Sequence, residues 1–363
     1  MPEPIKNILN RDLITRLGEQ IAAVHPAFAT DAFVVSVMDE SWEGLELMAR
    51  CRHITVNLGK FLPKDYPAAI GILDKIAPQS GTWLNSFALY FPQFVELFGQ
   101  REEHWEVSIG ALARYTPHAS AEFAVRPFII NHPQRMVEQM YAWANSDCEH
   151  IRRLASEGCR PALPWGVALA DFKRDPSPIL PILERLKADP SLYVRKSVAN
   201  NLNDISKTHS DLVLQLVRRW HGKDKHTDWI IKHGCRTLLK RGNREALELF
   251  GYGESEPVQV SDFALSADKV AVGEKLAFSF TVTAKSDTKV RLEYAIDYVK
   301  SGGKVSRKVF QLSEVALSGG VAKSYTRSHS FADLSTRRHY IGRHAVALVV
   351  NGVEQGKLEF EVV

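Results

Sequence analysis

Apolar positions follow two different periods along the chain, and the change occurs near residue 251. Before that point apolar residues recur three and four positions apart, as at Ile151, Leu154 and Ala155, which places them on one side of an α-helix. After it apolar and polar residues alternate, as in residues 276–282, which is typical of half-buried strands. The pattern therefore predicts a multidomain chain with three parts: an all-α region at residues 1–250, a linker at 251–257 and an all-β region at 258–363.

The β region has the pattern of an immunoglobulin-like sandwich, with about seven short strands separated by turn residues. Asn351-Gly352 is a strong hairpin signal, because both residues tolerate the positive φ of a tight turn. The region contains neither cysteine nor tryptophan, so it lacks the disulfide and core indole of antibody domains and only the broader sandwich class is predicted. The candidate strands are 276–282, 290–298, 308–312, 324–331, 344–350 and 358–362.

The helical region contains an internal repeat. Three segments align without gaps when Ile151, Val194 and Ile231 are superposed, and the two spacings are 43 and 37 residues. These intervals lie near the ~40–47-residue period of HEAT-like repeats, in which stacked helix pairs form a solenoid. We therefore predict a HEAT-like solenoid for residues 1–250.

Charge is segregated along the chain. Residues 150–244 hold 19 Lys/Arg against 9 Asp/Glu, whereas residues 1–149 hold 12 against 18. Basic doublets follow the aligned aliphatic residues, and equivalent repeat positions line one concave face, so a row of cations is expected to face double-stranded DNA or RNA. The alternative is that these basic residues only solvate the outer edges of their helices and bind no partner. The predicted contacts to the DNA backbone are Arg152, Arg153, Arg160, Arg195, Lys196, Asn200, Asn201, Lys232 and Arg236.

Glu157 interrupts this basic surface four residues after Arg153. A carboxylate there weakens phosphate binding, so it is expected to have a purpose, although a simple ion pair with Arg153 is the alternative. Trp165 is expected either to line the same surface or to pack in the core. Glu122 is a second candidate carboxylate, or else a first-turn acid that favours the helix dipole. Asp204 is a further carboxylate, or a helix cap.

Carboxylates and an indole beside a DNA backbone suit hydrolysis of an N-glycosidic bond. The sugar becomes an oxocarbenium-like cation, which carboxylates stabilise and an indole face attracts. The sequence has no Walker A loop, no HxE with CxxC and no convincing Gly-x-Ser-x-Gly elbow, which disfavours ATP hydrolysis, deamination and serine hydrolysis. The predicted catalytic residues are Glu157, Trp165 and Glu122, with no metal and no cofactor.

Residues 151–165, IRRLASEGCRPALPW, together with 194–207 and 233–242, resemble the AlkC branch of the HEAT-like DNA alkylation repair glycosylases. The resemblance covers most of residues 1–250, and members of that branch sometimes carry a C-terminal immunoglobulin-like domain. It implies a monofunctional glycosylase that excises 3-methyladenine and 3-methylcytosine from duplex DNA without drawing the base into a deep pocket. A non-catalytic HEAT module that binds nucleic acid or a protein is the alternative.

The remaining features concern the compartment and the β region. The chain has no apolar run of ~18 residues and no signal peptide, so we expect a cytoplasmic monomer that associates with the nucleoid when bound to DNA. Its four cysteines lie far apart without a CxxC pair, which predicts reduced thiols. Basic clusters at 300–308 and 337–343 would suit either a clamp on the duplex or a solvated spacer.

Overall fold

The computed structural model describes residues 4–80, 88–252, 258–334 and 337–363, and the part before residue 250 is helical. Its α-helices in the described residues are α1 (Arg11–Val24), α2 (Thr30–Val37), α3 (Leu47–Phe61), α4 (Tyr66–Ile76), α5 (Tyr90–Phe98), α6 (Trp105–Tyr115), α7 (Arg126–Asn131), α8 (Pro133–Trp143), α9 (Glu149–Gly158), α10 (Ala170–Arg174), α11 (Leu180–Leu186), α12 (Leu192–Ile205), α13 (Ser210–Trp220), α14 (Lys225–Gly234), α15 (Arg236–Lys240) and α16 (Arg244–Leu249). Short 3-10 helices occur at Ile5–Ile8, Trp42–Gly44, Ala77–Ser80, Glu102–His104 and Ser177–Ile179.

Several helices begin where a side chain caps the first turn. The side-chain oxygens of Asn10, Asp65 and Asn243 accept hydrogen bonds from backbone N–H groups three residues later, at 3.0, 3.0 and 2.9 Å. These bonds satisfy donors that a helix start leaves without an intrahelical partner. They fix the first residues of α1, α4 and α16.

The aligned segments of the repeat lie on α9, α12 and α14. Helix α9 packs against α8 and α12. Small polar side chains let α9 and α12 approach closely: Ser197 Oγ bonds Ser156 Oγ at 3.0 Å, and Asn201 Nδ2 donates to the Ser156 carbonyl at 2.9 Å. The predicted all-α repeat architecture is confirmed.

The region after residue 258 consists of strands, as predicted. They are β1 (Gln259–Leu265), β2 (Lys269–Val270), β3 (Lys275–Thr283), β4 (Thr288–Val299), β5 (Val305–Leu317), β6 (Lys323–Ser330), β7 (Gly342–Val350) and β8 (Val353–Val362). They form a three-stranded sheet in the order β1-β3-β6 and a five-stranded sheet in the order β2-β8-β7-β4-β5. Pairing is antiparallel except between β2 and β8.

The core of this sandwich follows the period-two pattern. Along β3, Leu276, Phe278 and Phe280 are buried and alternate with less buried residues. The predicted hairpin at Asn351-Gly352 joins β7 to β8, with φ angles of 47° and 78°. The Asn351 side chain also accepts a hydrogen bond from the backbone N–H of Arg291 at 2.8 Å, which ties the turn to β4.

The described chain divides into two compact units. The first contains Met1–Thr208 and Gly222–Ile230, and the second contains His209–His221 and Ile231–Val363. Helices α13, α15 and α16 thus belong to the same unit as the strands. Part of the predicted linker, residues 253–257, lies outside the described residues, and the proposed domain boundaries stay a prediction.

Two further expectations concern the whole chain. Within the described residues no disulfide joins the four cysteines, and Cys51, Cys159 and Cys235 are buried. In the described segments no helix combines the length and the apolar character that crossing a membrane requires.

Candidate active site

Six charged side chains of the first unit form a row in which anions and cations alternate. We call this row the charge chain. Its neighbours are joined by contacts of 2.6 to 3.7 Å. In order, the members are Glu122, Arg153, Glu157, Arg160, Asp204 and Lys207.

Glu157 is the centre of the charge chain. It lies in the last turn of α9, is only 5% exposed, and accepts a hydrogen bond from Arg160 Nη1 at 2.6 Å. Arg153 Nη2 lies farther away, at 3.7 Å. The alternative ion pair with Arg153 therefore exists but is the longer of two contacts. Both fall on Oε1, and within the described residues no hydrogen bond reaches Oε2.

Glu122 ends the charge chain on one side. Its carboxylate contacts Arg153 Nη2 at 2.6 Å and accepts from Ser120 Oγ at 2.8 Å. The Arg153 guanidinium also lies over the Tyr193 ring, 4.7 Å from its centroid. Burial alone would lower the pKa of Arg153, but Glu122 and Glu157 together raise it above its ordinary value. Glu122 precedes α7 by four residues, so the alternative of a first-turn acid is wrong.

Asp204 holds the other side of the charge chain. In the last turn of α12, it accepts from Arg160 Nε through Oδ2 and from Lys207 Nζ through Oδ1, both at 2.8 Å. Burial would lower the pKa of Arg160, but Glu157 and Asp204 raise it above its ordinary value. Since cations occupy both oxygens, the Asp204 side chain does not cap its helix, and its role as a further carboxylate of the site stays a prediction.

Trp165 lies in the segment 159–169 between α9 and α10, and its side chain is 79% exposed. The expectation that it packs in the core is therefore wrong. Its φ angle is +65°, a left-handed conformation that costs a residue with a Cβ about 1–2 kcal/mol. Such strain persists only where the surrounding structure imposes it, and it is concentrated at functional sites.

The first arginines of two basic doublets have intramolecular acceptors. Arg152 Nη1 donates to the carbonyls five and six residues earlier at 2.9 and 3.0 Å, and Arg195 Nη1 does the same at 2.7 and 2.9 Å. The matching geometry supports the proposed register of the repeats. These arginines hold the loops before α9 and α12, so any phosphate contact would compete with these bonds.

Other predicted DNA contacts need correction. Asn201 is 0% exposed and its amide donates to the Ser156 carbonyl, so its assignment to the DNA backbone is wrong. Arg160 is a buried member of the charge chain.

Lys232 belongs to the second unit and pairs with Glu314 there. Arg236 of the same unit donates to the His233 carbonyl. Lys196 is exposed and Asn200 is half-buried, and their contacts stay a prediction.

Sequence reasoning missed two residues of this site. Lys207 was not considered, although its position three residues after Asp204 on a predicted helix is a recognisable ion-pair spacing. Arg126 was also missed; it is fully buried and hydrogen-bonds the segment that carries Trp165. The available signal was that Arg126 places a charge inside the otherwise apolar run 124–130.

The site is suited to a cationic reaction centre. Its carboxylates are held in place by fixed cations, and an exposed aromatic face lies eight residues along the chain from Glu157. Such preorganised charge stabilises charge that develops in a transition state without further rearrangement. Across the described residues, no group of three His, Cys, Asp or Glu side chains is arranged to hold a metal ion.

Comparison with known proteins gives the class of this molecule. A family model described as "DNA alkylation repair enzyme" matches residues 116–238, and one described as the C-terminal Ig-like domain of uncharacterised protein YhaZ matches residues 259–363. The helical repeat, the charge chain and the Ig-like domain thus define a DNA alkylation repair protein of the HEAT-like kind.

Two relatives extend over almost the whole chain. The structure of Pseudomonas fluorescens alkylpurine DNA glycosylase AlkC, bound to DNA containing an abasic site analog, is 40% identical with a TM-score of 0.94, and the match covers 99% of this chain and 100% of that one. The uncharacterized protein YhaZ of Bacillus subtilis (strain 168) is 46% identical over 358 residues, 99% of each chain. The chain belongs to the AlkC family, and the resemblance seen in the sequence is confirmed.

Proposed function

We propose that this protein is a DNA glycosylase of alkylation repair that hydrolyses the N-glycosidic bond of cationic alkylated bases in duplex DNA. The proposed lesions are 3-methyladenine and 3-methylcytosine, excised without deep base flipping. The charge chain, followed eight residues after Glu157 by the exposed, strained Trp165, is the observation that carries this proposal. The AlkC relative, a glycosylase solved with DNA that contains an abasic site analog, supports it.

The chemistry of the lesion suits this site. Alkylation at N3 places a positive charge on the base, so the base departs as a neutral molecule with the electron pair of its C1′–N bond. A general acid is not needed to protonate it. The sugar is left as an oxocarbenium-like cation, to which water adds with loss of a proton. The product is an abasic site in an intact strand, because the mechanism uses no amine nucleophile.

Each residue has a proposed role in this reaction. Glu157 stabilises the sugar cation, and its Oε2, which no described residue bonds, orients the attacking water. Trp165 contacts the deoxyribose through its exposed ring. Glu122 and Asp204 add negative charge on either side of Glu157 along the charge chain. Arg153 and Arg160 hold Glu157 in place before the substrate arrives, which avoids reorganisation during the reaction.

Base release from methylated duplex DNA tests the proposal when the released bases are resolved by lesion. Glu157→Gln is expected to slow release by about 10²–10³-fold, as for loss of a preorganised electrostatic group. DNA affinity should stay within a few-fold. Glu149→Gln is the matched control, because it removes the same charge from an exposed position of the same helix. It should leave the release rate unchanged.

Two outcomes contradict the proposal. Unchanged release by Glu157→Gln, with DNA binding retained, would remove Glu157 from catalysis. Absence of base release by the natural protein at any enzyme concentration would favour a non-catalytic module that binds nucleic acid or a protein. A protein-binding scaffold would also show weak salt dependence of affinity, whereas duplex binding falls steeply as salt rises.

A further inference from the structure

Arg126 is a buried arginine that has no acidic partner within the described residues. It is 1% exposed, and its guanidinium donates to the carbonyls of Gly158 and Arg160 at 2.9 Å each and to that of Val167. Burial lowers its pKa to about 10. A buried cation with no carboxylate in direct contact is costly, so its presence calls for a reason other than a direct ion pair. The planar fork of donors, which matches three carbonyls at once, supplies that reason.

The three carbonyl groups that Arg126 bonds lie before and after Trp165 along the chain. Gly158 directly follows Glu157 at the end of α9, and Val167 comes two residues after Trp165. Arg126 itself begins α7, four residues after Glu122. One guanidinium therefore connects the chain segments of all three predicted catalytic residues.

Gly166 extends this contact to the backbone beside Trp165. A Cβ built on Gly166 would lie 3.3 Å from Arg126 Cδ and 3.1 Å from Leu163 Cδ2, so the backbone there packs directly on the arginine side chain. Trp165 is thus held on its C-terminal side by packing at Gly166 and by the hydrogen bond at Val167. A left-handed φ at a tryptophan requires such external constraint, since the residue would otherwise relax to a more favourable conformation.

We propose that Arg126 is a positioning residue, which fixes segment 159–169 so that the Trp165 ring stays exposed and aligned with Glu157. This inference rests on the proposed glycosylase function for its activity readout. Arg126 acts through Trp165 and does not touch the DNA, because its side chain is buried. The expectation is that loss of the three hydrogen bonds affects base release only as far as Trp165 contributes to it.

A double-mutant cycle tests this role in the full-length protein. Single-turnover base release from methylated duplex is measured at saturating enzyme for Arg126→Gln, Trp165→Ala and the double variant. Arg126→Gln is expected to slow release by up to about 10-fold, and by no more than Trp165→Ala does, because the arginine acts only through Trp165. The double variant should be no slower than the slower single variant. Multiplying effects would overturn the proposal, since they would mean that the two residues act independently.

Arg50 provides a matched control for general loss of stability. It is also buried, at 3% exposed, and donates to the carbonyls of Leu45, Lys6 and Leu9, far along the chain from the predicted site. Arg50→Gln should lower the melting temperature to a similar degree but change release less than about two-fold. An equal loss of release in both variants would show that Arg126 has only a structural role. Arg126→Lys should restore part of the rate because one or two carbonyls can still be bonded.

Hydrogen exchange gives a readout that does not depend on activity. The backbone N–H groups of Gly166 and Leu169 donate within the segment, to Leu163 and Pro161. Arg126→Gln should raise amide exchange in a peptide covering 159–169, whereas Arg50→Gln should not. Unchanged exchange would overturn the inference even if the natural protein released no base, so failure of this inference and failure of the proposed function are distinguishable. If Arg126→Gln does not fold, Gly166→Ala in the same cycle should slow release without multiplying the effect of Trp165→Ala, and a multiplying effect would overturn the proposal.

Discussion

Each of the two compact units contains a cluster of paired charged side chains, most of them buried or half-buried. The first is the charge chain, centred on Glu157. The second, which we call the sandwich cluster, consists of Arg291, Glu293, Glu314 and Lys232. There Arg291 donates to Glu293 Oε1 at 2.8 Å and to Glu314 Oε1 at 2.9 Å, and Lys232 pairs with Glu314.

The difference lies in the surroundings of these charges. The sandwich cluster connects Lys232, which lies in the part of α14 that belongs to the second unit, to β4 and β5, and Glu293 is fully buried. The charge chain is followed by a segment whose backbone is strained and whose tryptophan is exposed. Buried ion pairs contribute little net stability on their own, so burial of charge does not indicate a catalytic site. Under the proposed function, the catalytic site is distinguished by charge together with backbone strain and an exposed aromatic ring, and the following tests address that distinction.

Removal of one carboxylate from each region should give the largest contrast. Asp204→Asn is expected to slow base release about 10²-fold, because it removes negative charge that is fixed next to Arg160. Glu293→Gln removes an equally buried, arginine-paired carboxylate and should leave release unchanged while lowering the melting temperature. Single-turnover release and thermal unfolding of both variants provide the measurement. If both variants lost release in proportion to their loss of stability, the distinction between the two regions would not hold.

The second unit should respond to acid through His329. Its ring nitrogens bond the hydroxyls of Tyr294 and Tyr298 at 2.9 and 2.7 Å, and burial, with Arg337 nearby, lowers its pKa to about 4. As the pH falls from 6.5 to 4, the unfolded chain binds a proton that the folded chain does not. The free energy of unfolding should therefore decrease over that window, by at most about 3 kcal/mol from this group.

Chemical denaturation of the full chain at several pH values measures this loss. His329→Gln serves as the control, since it keeps a polar side chain but does not titrate there. The difference in unfolding free energy between the natural protein and this variant should change between pH 6.5 and pH 4. A difference that stays constant over the window would contradict the prediction.

Glycine substitutions at two strained positions should separate strain that serves function from strain that does not. Trp165→Gly relieves a φ of +65° and is expected to stabilise the protein by up to about 1 kcal/mol, while base release falls about 5- to 10-fold. Asp262, with φ of +53° in β1, is the counterpart in the sandwich. Asp262→Gly should change stability slightly and release not at all. A Trp165→Gly variant that kept full release would remove the indole from the site.

The smallest expected effects concern single cations. Lys196→Ala removes an exposed lysine of the basic segment and should weaken duplex binding a few-fold, with the slope of log Kd against log salt decreasing by about 0.9. Lys232→Ala removes a lysine that already pairs with Glu314, so its salt dependence should stay unchanged while stability falls. Binding titrations at several salt concentrations distinguish the two. Equal slopes for both variants would show that Lys196 does not contact phosphate.

Most of the fold was predictable because each region has a clear period. Strand β1 was missed because a bulge between Ser261 and Ala264 interrupts its alternation, and β2 is only two residues long. Asn351-Gly352 was predicted because the positive φ angles of its turn depend on residue type alone.

The site was predictable only where its residues lie close together along the chain. Glu157 was proposed because it interrupts the basic surface four residues after Arg153. Arg126 bonds Val167 across 41 residues, and no local pattern signals such a contact. The exposure of Trp165 was equally undetermined, since a tryptophan between two helices usually packs in the core.

The charge chain contains three anions and three cations, so its own formal charges cancel. Under the proposed function, surface lysines and arginines such as Lys196 would attract the duplex at long range, and internal groups that sum to neutrality would set the local field at the sugar. On that proposal, the affinity for DNA and the rate of base release depend on different residues. Selection for tighter capture of undamaged DNA would alter one set of residues, and selection for faster excision the other.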